Sequence, residues 1–588
     1  MIQEIKSAIR KAFAELYDHN LPVEDVKIEL TNPSFKGSFT FVVFPFLRIT
    51  RQKPEDSAKG IGDYVQKEIN GVADYNVVKG FLNFEIADSY WIQFASEFTQ
   101  SEHLYVPSDI THKVMVEYSS PNTNKPLHLG HVRNNLLGYS ICQILEYAGN
   151  DVVKVNLIND RGIHICKSML AYERLAEGET PESSGVKGDH LVGKFYVLFD
   201  KKHKEELAEL VQSGMSQEEA EKSSEWMSSA REMLTKWEAN DPEIRAVWER
   251  MNQWVYNGFD VTYERMGVSF DKFYKESDTY LLGKEMVLKG LSDGIFFKKE
   301  DGSIWVDLTD EGLDQKLLLR ADGTSVYMTQ DIGTADLKYS DYKMDQSVYV
   351  VGNEQDYHFN VLKLILKKLG KPYAEGVHHM SYGMVELPSG KLKTREGKVV
   401  DADDLMDEMH ETAKQQTVEQ GKIEGLGDLE QNRLFEMLGL GALRYFLLKV
   451  DPAKRIVFNP EDSIDFQGDT GTFIQYTHAR CRSIERAYDG DIVYELLSNL
   501  DPTEQNLIEH FYQFQSMITE AARNMSPAIV ASYLYETAKR FNSFYNQCSI
   551  LKAESTDLVS FRVSLTQMTS RVLRECGNLL GMEMPERM

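Results

Sequence analysis

Apolar residues at intervals of three and four predict an amphipathic helix that begins at the N-terminus. Two apolar runs of strand length follow, at 38–45 and 81–86. Residues 1 to about 108 therefore favour a small unit of mixed helices and strands. The apolar positions of the first helix are Ile2, Ile5, Ile9, Phe13 and Leu16.

From residue 113 the pattern changes to strand, turn, helix and strand. Residues 113–118 alternate apolar and polar, and the polar turn 119–122 interrupts them. Helical spacing then runs from about 129 to 148, and a second apolar strand covers 152–158. A βαβ unit of this length predicts parallel strands, since antiparallel neighbours need no helical crossover.

The segment 172–255 has a helical and strongly charged pattern. Between 172 and 250 there are 18 acidic and 11 basic residues, which indicates solvated faces and an insertion outside the core. Apolar strands return at 303–308, 325–328 and 347–351.

Residues 466–588 show helical spacing almost throughout, with Pro527 as a helix start signal. We predict three domains from these changes in pattern. They cover 1–108, 109–465 with an insertion at about 172–255, and 466–588.

Composition excludes several classes of protein. The 588 residues include 65 Lys and Arg against 91 Asp and Glu, a net charge of −26, which disfavours a protein held on nucleic acid by its overall field. No apolar run approaches a membrane span, and no signal pattern opens the chain, so we expect a cytoplasmic protein. Five widely spaced cysteines without a CxxC pair favour neither a disulfide framework nor a zinc ribbon: Cys142, Cys166, Cys481, Cys548 and Cys576.

The segment 121–131 carries the sharpest chemical signal, because it joins the strand at 113–118 to the following helix. A helix N-terminus offers unpaired N–H groups and the positive end of the dipole, so it attracts phosphate. His128 and His131 share one face of the first turn, and Gly130 between them allows close approach of a nucleotide. The arrangement predicts charge stabilisation at an attacked phosphate. The alternative is a pair of histidines that only cap the helix.

A second segment, 390–398, is rich in basic residues and bracketed by glycines. Four of its nine residues are basic, and such a loop can hold triphosphate oxygens. The alternative is an exposed charged hairpin.

Together these segments resemble the arginyl-tRNA synthetase family of class I aminoacyl-tRNA synthetases. Residues 117–122 leading into His128-Leu129-Gly130-His131 are similar to the family's opening segment with the HIGH signature. Further similar segments are 80–84, 259–268, 322–331 and 352–358, and the resemblance extends to 585–588. It implies an α/β fold: a Rossmann-like parallel-sheet catalytic domain with helical insertions, a small α/β N-terminal domain and an all-α C-terminal domain.

The resemblance implies ATP-dependent ligation of L-arginine to tRNA(Arg) through an arginyl-adenylate. ATP would contact Lys125, His128, Gly130, His131 and Lys391, and the catalytic set would add Lys393 and Arg395. Thr394 departs from the KMSKS pattern, and the resemblance suggests that Lys125 makes up for the missing lysine.

For arginine, the resemblance implies Glu276, Tyr327 and Asp331 around the guanidinium. Tyr327 and Asp331 are four residues apart, so both face one way if that segment is helical. Around the backbone end or the reacting carboxylate it implies Glu117, Asn122, His128 and Gln355.

For tRNA, the resemblance implies an anticodon-binding C-terminal domain and an N-terminal extension that touches the tRNA elbow. Arg482 and Arg486 are four apart on a predicted helix and can follow phosphates. The residues predicted to bind tRNA are Tyr476, Arg480, Arg482 and Arg486.

The expected partners are therefore tRNA(Arg), L-arginine and ATP with Mg²⁺, without zinc, a resident metal or a membrane, in a monomer. Three alternatives stay open at this point. They are a synthetase for another amino acid, a small-molecule nucleotidyltransferase, and a tRNA-binding relative without activity.

Overall fold

A computed structural model describes residues 1–588 except Pro33, Asp109, 387–399, 422–424 and 493–498. The first hundred residues form an antiparallel sheet in the order β1-β2-β4-β3, with helices packed against it. Its elements are α1 (Ile2–Tyr17), β1 (Ile28–Leu30), β2 (Phe39–Val42), α2 (Leu47–Thr50), α3 (Pro54–Glu68), β3 (Val72–Val78), β4 (Phe81–Ile86) and α4 (Asp88–Gln100).

The predicted first helix and the strand at 81–86 are confirmed by α1 and β4. In α1 the predicted apolar face is buried at Ile5, Ile9 and Phe13, whereas Leu16 is exposed. The predicted strand at 38–45 is shorter, because a 3-10 turn at Phe44–Phe46 ends the extended chain.

The central region is built on a five-stranded parallel sheet. The elements that build and enclose this sheet are β5 (Lys113–Glu117), α5 (Leu129–Tyr147), β6 (Asp151–Ile158), α6 (Ile163–Leu175), α7 (Pro181–Ser184), α8 (Gly188–Gln212), α9 (Gln217–Ser223), α10 (Glu225–Glu238), α11 (Pro242–Met266), β7 (Lys272–Lys275), α12 (Glu276–Thr279) and α13 (Lys284–Ser292). They continue as β8 (Phe297–Lys298), β9 (Ile304–Val306), β10 (Lys316–Leu319), α14 (Tyr327–Tyr342), β11 (Gln346–Gly352), α15 (Asp356–Lys368), β12 (Val377–Tyr382), β13 (Val385–Glu386), α16 (Ala402–Glu419), α17 (Asp428–Leu448), β14 (Ile456–Val457) and α18 (Pro460–Ser463).

The strand order β12-β11-β5-β6-β7 is that of a Rossmann-like sheet. The chain enters at the central strand β5, adds β6 and β7 on one side, and then adds β11 and β12 on the other. The order reverses between β5 and β11, so the carboxyl ends of these two strands border the crevice where such sheets bind ligands. The predicted βαβ unit is confirmed by β5, α5 and β6.

The helical prediction for 172–255 is confirmed by α8 to α11, but the placement outside the core is wrong. Leu191, Phe195 and Phe199 of α8 and Val255 of α11 are buried in the main hydrophobic core. Each helix is charged on its outer face and apolar at helical spacing on its inner face, so the acidic composition of the segment hid its contribution to the core.

The predicted strand at 325–328 is also wrong. Only Ser325 makes a bridge, to Leu319, and α14 begins two residues later at Tyr327. The Thr329 hydroxyl donates to the Leu318 carbonyl and accepts from the Val326 N–H, which closes the first turn of α14. The apolar run Val326-Tyr327-Met328 suggested a strand, but tertiary contacts at the helix N-terminus decide its conformation.

The predicted helical C-terminal region is confirmed by the five helices that its described residues form. The N-terminal unit packs against them, with the rings of Trp91 and Tyr512 5.6 Å apart and the Ser38 hydroxyl donating to Glu509 at 2.6 Å. The helices are α19 (Gly471–Arg486), α20 (Pro502–Tyr512), α21 (Phe514–Asn524), α22 (Pro527–Gln547) and α23 (Thr556–Leu579).

All five cysteines are free thiols and buried. Among the helices of the described residues, none has both the length and the apolar character that a bilayer crossing requires.

Helix α5 is held close to the sheet by a glycine. A methyl group added at Gly138 would lie 2.3 Å from Cγ of Tyr118, which follows β5. Farther toward its start, Arg133 is buried and donates to four backbone carbonyls, those of Gly383, Met384, Pro452 and Lys454. These contacts determine the position of the N-terminus of α5 relative to the crevice.

We predict that Gly138→Ala destabilises the protein by about 1–3 kcal/mol, because the added carbon overpacks the space above Tyr118. A lower midpoint of thermal unfolding, followed by circular dichroism, is the expected result. The matched control is Gly60→Ala in α3, where the nearest atom lies 3.4 Å away. An unfolding midpoint for Gly138→Ala equal to that of the control would contradict the close packing.

Candidate active site

The turn after β5 adopts a strained backbone that neighbouring amides hold in place. Ser119 and Ser120 both have positive φ, 78° and 47°, which costs non-glycine residues free energy. The Asn134 side chain accepts from the Ser119 N–H at 2.5 Å, and the Asn156 side chain accepts from the Ser120 N–H at 3.1 Å. Both asparagines are buried. The turn is therefore fixed by α5 and β6 together.

The predicted histidine segment caps α5 through its own side chains. The Gly130 N–H donates to Nδ1 of His128 at 3.1 Å, and the His128 N–H donates to Nδ1 of His131 at 3.2 Å. The ring centroids lie 3.9 Å apart. Because Nδ1 is the acceptor in both rings, the proton of each neutral imidazole sits on Nε2. Two N–H donors remain for a bound group, so capping and ligand binding use different atoms.

Burial keeps these imidazoles neutral. It lowers the pKa of His128 to about 4, with a further contribution from Lys125, and lowers the pKa of His131 well below its usual value, with contributions from His128 and Lys125. Burial also lowers the pKa of Lys125. The site is thus a compact group of N–H donors beside one ammonium.

The predicted basic loop lies outside the described residues, and with it Lys391, Lys393 and Arg395. The residues that follow it are described and pair with the histidine segment. The Leu129 N–H donates to the Val400 carbonyl at 3.0 Å, and the Ala402 N–H donates to the Leu127 carbonyl at 3.0 Å.

A cleft of about 1030 Å³ reaches the segment 121–131 at Asn122, while His128 and His131 are not among the described residues that line it. Its lining includes three of the predicted residues, Asn122, Glu276 and Tyr327, and it has the size of a small-molecule site. Among the other lining residues are several polar side chains that the sequence did not indicate, including Arg161, His164, Lys284 and Gln330.

Glu276 is held at the cleft by its neighbour. Buried Asp160 accepts from the Ser277 N–H at 2.9 Å and from the Ser277 hydroxyl at 2.8 Å, which fixes the start of α12. Burial raises the pKa of Glu276; Arg161 and a hydrogen bond from Gln330 oppose the shift, and the nearby carboxylates Asp160 and Asp331 add to it. A cation that binds beside such a buried carboxylate stabilises its ionised form.

Helix α14 presents the two residues that were predicted to share a face. Tyr327 is 79% exposed at its first position. One turn later, Asp331 lies 2.6 Å from Nε2 of His358 in α15. His358 belongs to one of the segments that resemble the family. Its pairing with Asp331 joins two separate helices, so the spacing of residues along the sequence does not predict it.

Two other residues predicted to bind arginine lie in different surroundings. Gln355 is exposed at the start of α15. Glu117 is buried at the end of β5, and its carboxylate accepts a hydrogen bond from the ammonium of Lys338, which is almost fully buried. Their contact with arginine stays a prediction.

The residues predicted to bind tRNA lie on α19, as expected. The guanidinium of Arg480 lies over the rings of Tyr476 and Tyr545, 4.9 and 4.8 Å from their centroids. Arg482 pairs with Glu485 and Glu586, and Arg486 donates to the Glu586 carbonyl at 2.9 Å. Most of the neighbouring aromatic residues, Tyr533, Phe541 and Phe544, are core residues.

Comparison with known families covers almost the whole chain. Three family profiles match in order: "Arginyl tRNA synthetase N terminal domain" at residues 3–86, "tRNA synthetases class I (R), catalytic domain" at 95–459, and "DALR anticodon binding domain" at 474–588.

Relatives named arginine--tRNA ligase align over the full length. The protein of Bacteroides thetaiotaomicron is 53% identical, covering 100% of this chain and 99% of the relative. That of Porphyromonas gingivalis is 50% identical, covering 100% of both chains.

Two solved structures share the fold. The arginyl-tRNA synthetase of Thermus thermophilus superposes with a TM-score of 0.78 at 24% identity, covering 100% of both chains. That of Plasmodium falciparum superposes with a TM-score of 0.77 at 20% identity, covering 100% of this chain and 99% of the other.

The parallel sheet, its switch-point crevice and the histidine turn are those of a class I aminoacyl-tRNA synthetase catalytic domain. With the matching N-terminal and DALR domains, and with full-length identity above half, the chain belongs to the arginyl-tRNA synthetase family.

We predict that His128 and His131 stay neutral, with the proton on Nε2, from pH 8 down to about pH 5, since their pKa values are lowered and that of His128 is about 4. Nitrogen-15 NMR of histidine-labelled protein, assigned with His128→Asn and His131→Asn, reports both the tautomer and the titration. Protonation of either ring near pH 6.5 would disagree with the capped geometry.

Proposed function

We propose that this chain charges tRNA(Arg) with L-arginine at the expense of ATP, through an arginyl-adenylate, and releases AMP and pyrophosphate. The observation that carries this proposal is the histidine turn at the switch point, where Nδ1 of each ring caps α5 and where Asn122 of the same segment lines a cleft that contains Glu276. Full-length identity to arginine--tRNA ligases supports the choice of substrates.

In the first step the arginine carboxylate attacks the α-phosphate of ATP in line, and pyrophosphate leaves. The Nε2–H groups of His128 and His131 donate to the oxygens on which charge develops, and the N-terminus of α5 adds its dipole. Lys125 binds the leaving phosphates, together with Lys391, Lys393 and Arg395. Neutral donors suit this role, because they stabilise the transition state without losing a proton themselves.

Arginine is selected by carboxylates around its guanidinium. Glu276 and Asp331 accept its forked N–H donors, with Tyr327 alongside. The raised pKa of Glu276 supports this assignment, since a bound cation relieves the repulsion from Asp160 and Asp331. Asn122, His128 and Gln355 bind the backbone end. Glu117, which is paired with buried Lys338, belongs to the same set of residues around the backbone end or the reacting carboxylate.

In the second step the terminal ribose hydroxyl of tRNA attacks the adenylate carbonyl. The face of Tyr476 and Arg480, flanked by the exposed Tyr545, supports a role in base stacking. The guanidinium groups of Arg482 and Arg486 already bind Glu586, the first through its carboxylate and the second through its carbonyl. A tRNA phosphate would therefore share these guanidinium groups with Glu586. In this proposal the domain at 1–108 contacts the tRNA elbow, the domain at 109–465 carries out the reaction, and the domain at 466–588 binds the anticodon.

ATP enters as its Mg²⁺ complex, since the triphosphate requires charge neutralisation. The absence of zinc, a monomeric state and a cytoplasmic location stay predictions. Elemental analysis, light scattering and fractionation of cells are the respective tests.

Aminoacylation of total tRNA with each of the twenty amino acids tests the function directly. We expect charging with arginine alone. Charging with a different amino acid, or with none, would overturn the proposal.

We predict that His131→Ala lowers the rate of arginine-dependent ATP–pyrophosphate exchange roughly 10²–10³-fold, because one donor to the transition state is lost. Binding of tRNA should stay near the wild-type value, and the exposed His19→Ala is the matched control. His131→Asn keeps an acceptor near Nδ1 but has no Nε2 donor, so it should be equally slow. A fast His131→Asn enzyme would mean that the histidine only caps the helix.

We predict that the KM for arginine rises as the pH falls through the raised pKa of Glu276, because protonation removes the charge that attracts the guanidinium. Above that pKa the carboxylate is ionised and the KM is constant. Glu276→Gln should show a high KM with a flat pH profile. A pH profile unchanged by Glu276→Gln would exclude this carboxylate from the guanidinium site.

A further inference from the structure

A network of charged side chains lies behind the histidine turn, outside the cleft. It joins α8 to the N-terminus of α16. Nε2 of His190 lies 3.2 Å from Asp403 and 3.4 Å from Asp401, while Lys187 pairs with Asp403 and lies 3.2 Å from Asp189. The hydroxyl of Thr262 in α11 donates to the second Asp403 oxygen at 3.0 Å.

The network has the ligand types of a metal site but already contains its own cations. His190, Asp401 and Asp403 bring their ligand atoms within 4.8 Å of one another. The Lys187 ammonium, however, donates to the same Asp403 oxygen that faces His190. Burial raises the pKa of Asp403, but hydrogen bonds from His190 and Lys187 outweigh that effect and hold it below its usual value. The hydrogen bond to Asp403 in turn raises the pKa of His190. The network is therefore an ion-pair junction.

The junction is continuous with the catalytic turn through the backbone. Asp401 is the N-cap of α16, and its side chain accepts from the Asp403 N–H at 2.8 Å. In the backbone, residue 401 is bridged to His128, with hydrogen bonds of 3.0 Å on either side, from Leu129 to Val400 and from Ala402 to Leu127. A shift of the start of α16 would therefore move the residue that caps α5.

Helix α8 also contacts the turn at a second point. A methyl group at Gly193 would lie 2.9 Å from Cδ of Pro126 and 3.6 Å from Cα of Lys125. Helix α8 thus supports the turn directly at Pro126 and indirectly through Asp403. The first support acts at Pro126, and the second acts at the bridge that joins residues 127–129 to residues 400–402.

We infer that Lys187, His190 and Asp403 form a positioning junction that fixes the histidine turn for adenylate formation. None of the three lines the cleft. This inference rests on the proposed function only for its kinetic consequence. The physical reason is that two imidazole donors must meet oxygens within a fraction of an ångström, and a displacement of about 1 Å can cost 100-fold in rate.

The kinetic test compares Asp403→Asn with Asp200→Asn in ATP–pyrophosphate exchange, with arginine and tRNA present. Asp200 lies on α8, the helix that carries His190, and pairs with exposed Lys204 at 2.8 Å, so the loss of its charge should be nearly silent. For Asp403→Asn we expect kcat to fall about 10- to 100-fold, while the KM values for arginine and ATP change less than about twofold. A wild-type kcat, or a loss confined to KM, would overturn the inference.

The second readout does not depend on activity. Hydrogen exchange at the Leu129 and Ala402 amides should accelerate in Asp403→Asn and stay unchanged in Asp200→Asn, because only the first change frees the bridge to Leu127 and Val400. Equal rates of amide hydrogen exchange in the two variants would overturn the junction. This result does not depend on which amino acid the wild-type enzyme uses. Loss of arginine-dependent exchange in the wild type would instead count against the proposed function alone.

The third test combines Asp403→Asn with His190→Gln. Since both act through one contact, the double variant should be about as slow as the slower single variant. Multiplication of the two single effects would show that His190 and Asp403 act independently and would overturn the shared junction.

Discussion

The N-terminus of α5 has to satisfy two requirements with the same pair of side chains. Its first backbone N–H groups need acceptors, and in the proposed reaction the substrate phosphate needs donors. His128 and His131 meet both, because an imidazole has two different nitrogens: Nδ1 accepts from the backbone, and Nε2 is left with a proton to donate. The low pKa values caused by burial keep this division of roles intact at neutral pH. The hydrogen bonds of Asn134, Asn156 and Arg133 hold that helix end in position relative to the crevice.

The surrounding structure explains how an acidic chain can handle phosphate. The net charge of −26 is spread over outer faces such as those of α8 to α11, whereas the segment 113–167 has six basic and four acidic residues. The sign of the charge reverses again at Glu276 and Asp331, the two carboxylates that we propose bind the guanidinium. On that proposal, the local arrangement of charge, and not the net charge, separates the triphosphate end of the site from the arginine end.

Much of the fold was predictable from the pattern of apolar residues, and the exceptions have identifiable causes. The βαβ unit and the helical C-terminal region follow from long periodic runs, which local propensity supports. The strand at 325–328 failed because four residues contain too little periodicity to outweigh the contacts of Thr329 at the start of α14. The burial of α8 was missed because its charged outer face dominates the composition.

The sequence by itself determined the chemistry that is carried on contiguous residues. The histidine turn is such a feature, because strand, turn and helix follow each other and the two rings are one turn apart. Only the tertiary structure decided which distant groups complete the site. The pairing of Asp331 with His358, the burial of Glu117 against Lys338, and the junction of His190 with Asp403 join residues 27, 221 and 213 positions apart. Such contacts depend on how helices pack on the sheet, and that packing is a property of the whole chain that no local spacing encodes.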